Sequence, residues 1–149
     1  MTLMQRQAFG IGHFCVVAVL VATRPLVVSG QAQTHQPSEL FGVWHGTSIC
    51  TDRVAAPACQ DETIVYEFTA GPKPQTVHWK ADKIVKGQRE PMGELDLAYD
   101  TDDACWKGEF SSPRVRIVWC IAVTGSHIRG SAWLLPGKEK VRKVDLDKR

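Results

Sequence analysis

Apolar and polar side chains alternate with a period of two along most of the chain after residue 42. Residues 93–100 place one apolar set on a single face: Leu95, Leu97 and Tyr99. Residues 114–123 place a second set on one face: Val115, Ile117, Trp119, Ile121 and Val123. This period is typical of β-strands with one buried face. With Gly, Pro, Asp and Ser at the breaks, it predicts eight strands, near residues 43–50, 62–70, 75–84, 91–100, 104–111, 114–123, 127–135 and 140–147.

The predicted fold class is all-β, an eight-stranded antiparallel up-and-down barrel. Short strands joined by short connections favour closure, because a closed barrel has no exposed sheet edges. A two-sheet sandwich would show a similar alternation and is the alternative. A single helical turn is expected at residues 37–41, where Ser38 is in position to cap it.

The hairpin around Ser112 and Pro113 predicts the first disulfide. Pairing residues 105–110 with residues 114–123 gives four opposed pairs: Trp106 with Trp119, Phe110 with Val115, Glu109 with Arg116, and Cys105 with Cys120. Opposed residues have Cβ atoms about 4.5–5.5 Å apart, which is within reach of a disulfide after slight adjustment. Pro113 disfavours a two-residue turn, so a four-residue loop is expected. By elimination Cys50 pairs with Cys59 and closes the loop 51–58.

The first 32 residues are predicted to be a secretory signal peptide. They contain Arg6 without any acidic residue, and residues 11–22 are nearly all apolar. Gly30 and Ala32 have the spacing that signal peptidase recognises, so cleavage is expected after Ala32. The apolar run of about 12 residues is shorter than the roughly 20 that a spanning helix needs, which makes a retained anchor the weaker interpretation. Cys15 would leave with the leader.

Removal of the leader leaves one domain, residues 33–149, and changes its charge. The whole chain has 18 basic and 16 acidic residues, and the loss of Arg6 and Arg24 makes the remaining chain formally neutral. Neutrality argues against nucleic acids and anionic membranes as partners. Four cysteines in a small exported domain indicate two disulfides and a periplasmic or secreted location.

The motif Gly42-Val43-Trp44 at the first strand, together with Arg142-Lys143 in the last, resembles the calycin group of lipocalins and avidins. In that group the tryptophan packs beneath a basic residue from the closing strand. The longer pattern, residues 41–50 and 142–145, looks like a set of small secreted bacterial barrel proteins without assigned function. The chain lacks the second lipocalin motif and room for a C-terminal helix. Small bacterial inhibitors of proteases and of lysozyme are also similar.

An eight-stranded barrel is just wide enough to be filled by side chains or to hold one small ligand. The simpler interpretation is that large rings fill the interior. The alternative is that aromatic side chains line an apolar pocket, with their polar tips orienting a ligand. The candidate ligand-binding residues are Trp44, Tyr66, Trp79, Tyr99, Trp106 and Trp119.

Motifs for catalysis and cofactor binding are absent from the sequence, including G-x-S-x-G, H-E-x-x-H and a glycine-rich phosphate loop. No enzyme activity, cofactor or resident metal is therefore expected. His45 and His78 would ligate a metal only if they met across the barrel. The acidic turn at residues 100–103 lacks the glycine and glutamate of a calcium loop and is expected to be solvated.

Two functional hypotheses remain. The first is a non-enzymatic periplasmic or secreted barrel that binds a small, largely apolar molecule. The second is an inhibitor or adaptor whose loops, or whose N-terminal tail at residues 33–40, contact another exported protein.

Overall fold

The computed structural model of the protein describes residues 35–149. A short 3₁₀ helix, η1 (Pro37–Glu39), precedes the strands, which are β1 (Gly42–Cys50), β2 (Glu62–Ala70), β3 (Thr76–Val85), β4 (Gln88–Asp100), β5 (Cys105–Ser111), β6 (Arg116–Thr124), β7 (His127–Leu134) and β8 (Glu139–Lys148). The predicted signal peptide lies outside the described residues and stays a prediction.

The eight strands form one closed antiparallel barrel. Each strand pairs with the next, and β8 pairs with β1 to complete the circle. The predicted up-and-down barrel is therefore confirmed and the sandwich alternative is wrong. β4 begins at Gln88, earlier than predicted, because Lys86 and Gly87 both have positive φ (50° and 81°). Two consecutive residues with positive φ form a tight hairpin turn whose twist matches that of the flanking strands. The pairing of β3 with β4 therefore continues up to the turn.

The segment before β1 closes one end of the barrel, called here the plugged end. Leu40 is fully buried in the core, and its carbonyl accepts a 2.7 Å hydrogen bond from Trp44 Nε1. Next to it, the ring of His35 stacks on that of Tyr99 at 4.2 Å. The sequence had suggested Ser38 as the cap of η1. The cap position is instead Gln36, because Ser38 lies inside the turn. Residues 35–40 thus pack against the barrel, which limits their availability as a free tail.

The register predicted for β5 and β6 is wrong by two residues. Trp106 faces Ile121, Gly108 faces Trp119, and Phe110 faces Ile117. The connecting loop has four residues, as expected, but it runs from Ser112 to Val115. The Ser112 N–H donates to the Val115 carbonyl at 2.9 Å. The Ser112 hydroxyl oxygen accepts hydrogen bonds from the backbone amides of Arg114 and Val115. This loop geometry sets the register. Because the shift is an even number, each side chain keeps its predicted face.

Both predicted disulfides are present. Cys50 and Cys59 have Cα atoms 6.0 Å apart, and Cys105 and Cys120 have Cα atoms 5.5 Å apart. The second pair is diagonal across the strands and not directly opposed, because Cys120 faces Lys107. The twist of paired strands brings one diagonal closer together, which allows the bond despite the shifted register.

One expectation about an aromatic residue is corrected by the structure. The cation over Trp44 is Lys148, whose Nζ lies 5.2 Å from the ring centroid, and not Arg142 or Lys143. Lys148 pairs with Trp44 across β8 and β1, so it is the basic residue that can reach the ring. Trp133 does not fill the barrel. It lies on the outer face, next to Cys120 and beneath Lys140.

The barrel wall is incompletely paired between β4 and β5. Their ladder consists of the pairs Ala98–Lys107, Tyr99–Trp106 and Asp100–Cys105. Residues 88–97 of β4 and 108–111 of β5 extend beyond it and pair with β3 and β6 respectively; we call this region the β4–β5 seam. Within residues 35–149, no helix has the length and apolar composition needed to cross a membrane.

Candidate functional site

A cavity of about 270 Å³ lies inside the barrel at the end opposite to η1, called here the open end. Its wall is contributed by β2, β3, β4, β5, β6 and β8. The lining residues are Glu62, Tyr66, Trp79, Ala81, Met92, Gly93, Glu94, Leu95, Phe110, Ile117, Trp119 and Arg142. Glu62, Phe110, Ile117 and Arg142 lie near strand ends at the open end of the barrel. The cavity therefore opens at this end of the barrel.

Aromatic rings pack against one another along the inner part of the cavity. Trp79 meets Trp119 edge to face, with centroids 5.1 Å apart, and meets Tyr66 in the same way at 4.7 Å. Edge-to-face packing of this kind is a favoured arrangement of aromatic pairs. Trp79 is 3% exposed, so its position is fixed by the core. These rings give the cavity a rigid apolar wall.

Arg142 forms the polar corner of the cavity. One terminal nitrogen, Nη1, donates to Ser48 Oγ at 2.6 Å and to Glu62 Oε2 at 2.7 Å. The other, Nη2, donates to the Gln60 carbonyl at 3.1 Å and to Cys59 Sγ at 3.3 Å. The side chain therefore joins β8 to β1, to β2 and to the disulfide loop. Ser48, the polar residue buried beneath it, is fully shielded from solvent.

Two further polar groups belong to side chains that line the cavity, those of Trp79 and Tyr66. The Nε1 of Trp79 is buried and has no hydrogen-bond partner among the described residues. The hydroxyl of Tyr66 is hydrogen-bonded to Ser48 and lies near Arg142 and Glu62, and burial raises the pKa of this phenol well above its usual range. Tyr66 therefore stays protonated at any physiological pH.

The rim of the cavity exposes apolar side chains beside the β4–β5 seam. Phe110 was expected to point into the core but is 47% exposed, and Met92 is 39% exposed. Phe110 lies beyond the last β4–β5 pair, so no neighbouring strand covers it on that side. Leu95 partly fills the seam by folding over Gly108, where an added Cβ would lie 2.9 Å from its methyl group. The cavity opening is thus continuous with an apolar gap in the wall.

The six aromatic residues predicted to bind a ligand separate into two groups. Tyr66, Trp79 and Trp119 line the cavity. The other three lie toward the plugged end. There Trp44 is fully buried under Lys148, and Trp106 packs against Tyr99 at 5.4 Å. The first group is positioned to contact a ligand, and the second forms the floor.

His45 and His78 lie on the outer face of the barrel. His45 and His78 have the opposite strand parity to Trp44 and Trp79, so they do not approach each other across the interior. The Nδ1 of His78 lies 2.8 Å from Asp96 Oδ1. Burial, and then Arg149 and Arg89, lowers the pKa of His45. Among residues 35–149, no group of three or more metal-ligating side chains is suited to holding a metal ion.

The acidic turn between β4 and β5 is organised by Asp100. Its Oδ1 accepts hydrogen bonds from the backbone amides of Asp102 (3.0 Å) and Asp103 (2.9 Å), and its Oδ2 accepts one from Lys107 Nζ at 2.9 Å. Lys107 also contacts the Asp103 carboxylate. The turn is therefore a structural element that fixes the start of β5.

Sequence reasoning missed the polar corner and the rim. Strand parity contained the signal for the corner, because Glu62 shares a face with Ile64 and Tyr66, and Arg142 shares a face with Val144. A charged residue at the end of an inward-facing set can reach the mouth of a barrel. The rim could not be predicted in this way, since it depends on where the β4–β5 ladder stops.

Comparisons with known proteins yield structural similarities only. No protein-family model and no curated protein matches the chain. The crystal structure of Rv2717c from M. tuberculosis is similar with a TM-score of 0.47 and 12% identity, over 75% of this chain and 94% of that one. The siderocalin Ex-FABP, described as functioning through dual ligand specificities, is similar with a TM-score of 0.46 and 11% identity, over 74% of each chain. At identities and TM-scores this low, neither similarity bears on function.

Proposed function

We propose that the protein is an exported, non-enzymatic barrel that binds one small, largely apolar molecule in the open-end cavity. The observation that carries the proposal is the shape of the interior. One end is closed by Leu40 and Trp44, whereas the other holds a cavity of about 270 Å³ walled by aromatic rings. Concave, mostly apolar sites with a few polar groups are the usual form of small-molecule sites. A barrel filled by its own side chains would not leave this space.

Export is part of the proposal and rests on the leader-like first 32 residues and the disulfides. Two disulfides are consistent with an oxidising compartment such as the periplasm or the exterior of the cell. Mass determination of the exported protein would test the leader, with a mature N-terminus at Gln33 as the expected result.

Filling the cavity from within tests the binding function. Ala81 lines the cavity and is 9% exposed, so Ala81→Phe places a ring in the ligand space. Ala122 in β6 is exposed on the outer face, which makes Ala122→Phe a matched control with the same added volume. Tryptophan fluorescence should respond to an uncharged apolar probe, 2-acetylnaphthalene, in the wild type and in Ala122→Phe but not in Ala81→Phe. Equal binding by all three folded proteins would refute the site.

The loop closed by Cys50 and Cys59 favours a second candidate function, inhibition of an exported enzyme. Val54 at its tip is 92% exposed. The Asp52 carboxylate accepts hydrogen bonds from the amides of Val54 (2.9 Å) and Ala55 (2.8 Å), which holds the tip in one conformation. A rigid loop that presents an aliphatic side chain has little entropy to lose on binding.

Enzyme assays separate this second candidate from the first. Inhibition of an elastase-type protease with a small aliphatic pocket should be lost in Val54→Asp and retained in Ala81→Phe. Absence of inhibition against serine proteases and lysozyme would leave the ligand-binding function alone.

A further inference from the structure

We infer that the cavity selects uncharged aromatic ligands that carry a hydrogen-bond acceptor, and that it rejects carboxylates. The inference rests on the proposed ligand-binding function and specifies the chemistry of the ligand. It follows from how the one cationic side chain of the lining, Arg142, is engaged, and from the Nε1 of Trp79, which is left without a partner among the described residues.

The terminal N–H groups of Arg142 are already engaged. A guanidinium has four N–H groups on its terminal nitrogens, and in Arg142 these nitrogens make four contacts, to Ser48, Glu62, Gln60 and Cys59. A carboxylate ligand usually binds arginine through two parallel N–H donors. Here it would have to displace Glu62, whose carboxylate is part of the fold. Arg142 therefore neutralises Glu62 and is not available as a counter-ion.

The charges that face the cavity cancel. Glu62 and Arg142 form an ion pair in which the side chains are 19% and 18% exposed. Glu94 also borders the cavity, but its carboxylate lies 3.6 Å from Lys80 Nζ and 3.4 Å from His78 Nε2, on the outer face. A ligand of either charge would therefore lose its hydration without gaining an unpaired counter-charge. An uncharged ligand avoids this desolvation penalty.

An unpartnered donor defines the polar requirement of the ligand. Trp79 Nε1 has no acceptor among the described residues, and a buried donor without a partner is unfavourable by about 1–3 kcal/mol. The Tyr66 hydroxyl on the same wall already bonds to Ser48 and adds no free donor. A carbonyl or ether oxygen on the ligand would supply the acceptor that Trp79 Nε1 lacks. The aromatic lining favours an aromatic ring over a flexible chain, because a ring gains aromatic contacts with the wall and loses less conformational entropy.

Three probes that share one ring test the inference directly. They are 2-acetylnaphthalene, which is neutral with an acceptor, 2-naphthoate, which is anionic, and 2-naphthylmethylammonium, which is cationic. Dissociation constants at neutral pH are measured by tryptophan fluorescence and isothermal titration calorimetry. We expect the neutral ketone to bind at least about tenfold more tightly than either ion. A carboxylate or ammonium probe that bound as tightly as the ketone would overturn the inference.

A charge-removing variant adds a second readout. Glu62→Gln takes away the carboxylate that neutralises Arg142, so the affinity for 2-naphthoate should rise by about tenfold while that for 2-acetylnaphthalene stays nearly constant. The control is Glu109→Gln, which alters an exposed ion pair with Arg116 outside the cavity and should change neither affinity. An unchanged affinity for 2-naphthoate in Glu62→Gln would contradict the role assigned to Arg142.

The outcomes distinguish the inference from the function on which it rests. If none of the three probes binds, or if Ala81→Phe binds all of them like the wild type, the ligand-binding function fails. If the probes bind in the cavity and the naphthoate or ammonium ion is preferred, the function stands and the charge selection is wrong.

Discussion

Arg142 Nη1 lies 2.7 Å from Glu62 Oε2, and this ion pair joins the closing strand β8 to β2 across β1. Ser48 of β1 lies beneath the pair and accepts a hydrogen bond from the same nitrogen. The contact thus joins three neighbouring strands at the open end of the barrel. It also anchors the disulfide loop through the Gln60 carbonyl.

Removing Arg142 alone should destabilise the barrel. In Arg142→Met the carboxylate of Glu62 stays largely shielded from solvent without a counter-ion, and Ser48 loses its donor. We expect a loss of about 2–3 kcal/mol in the free energy of unfolding, measured by urea titration. The double variant Arg142→Met with Glu62→Leu should recover at least half of this loss, because both charges are gone.

The exposed pair of Arg116 and Glu109 provides a matched control for that prediction. The distance from Arg116 Nη2 to Glu109 Oε1 is 2.6 Å, similar to that in the Arg142 pair. The side chains of Arg116 and Glu109 are, however, 55% and 40% exposed. Arg116→Met should therefore change the free energy of unfolding by less than about 0.5 kcal/mol. Equal losses in the free energy of unfolding at the two sites would mean that shielding from solvent does not explain the effect of removing Arg142.

Trp44 and Leu40 hold the plugged end together, which gives a second prediction. Trp44→Phe keeps most of the buried ring but removes the Nε1–H that donates to the Leu40 carbonyl at 2.7 Å. The unsatisfied carbonyl should reduce the free energy of unfolding by about 1–2 kcal/mol. Trp133→Phe, on the partly exposed outer face, should have a smaller effect. Proteolysis should also release residues 35–40 faster from Trp44→Phe than from Trp133→Phe.

The strand pattern, the barrel and the Cys105–Cys120 disulfide were predictable because each follows from local alternation, and the Cys50–Cys59 disulfide then followed by elimination. Leu97 and Trp79 are buried where the period of two places them. The disulfide between Cys105 and Cys120 was found from an incorrect register, because an even shift leaves both sulfurs on the outer face. Parity is a property of each strand and is therefore robust, whereas register depends on the loop.

The cavity was less predictable, because its volume depends on how the strands separate. Trp106 and Trp119 have the same predicted face, yet Trp106 is in the floor and Trp119 is on the cavity wall. Their heights along the barrel axis differ through the β5–β6 register, which the sequence did not determine correctly. The engagement of the terminal N–H groups of Arg142 required the position of the Gln60 carbonyl, a loop atom that no periodicity specifies.

The disulfide between Cys105 and Cys120 should stabilise the fold by restricting the conformations of the unfolded chain. It spans 15 residues of sequence, for which the chain-entropy treatment gives about 3 kcal/mol. The variant with Cys105→Ala and Cys120→Ala should lose about this amount in urea titration. In Cys105→Ser a thiol reagent should find one new reactive group after unfolding, that of Cys120. Three reactive thiols, those of Cys50, Cys59 and Cys120, would show that loss of this bond also disturbs the Cys50–Cys59 pair.

The stability of the barrel should depend on pH in part through the Asp100 carboxylate. The amide of Asp103, followed by Lys107, lowers the pKa of Asp100 from its ordinary value of 3.8. A lowered folded-state pKa means that the stabilisation is fully present above 3.8 and is lost as the pH falls through the folded pKa. Asp100→Asn keeps a side-chain oxygen that can accept hydrogen bonds from the backbone amides but removes the charge. The variant should be less stable than the wild type at neutral pH, and the difference in free energy of unfolding should shrink in acid. A difference that stays constant down to about pH 2 would mean that the charge of Asp100 does not stabilise the turn.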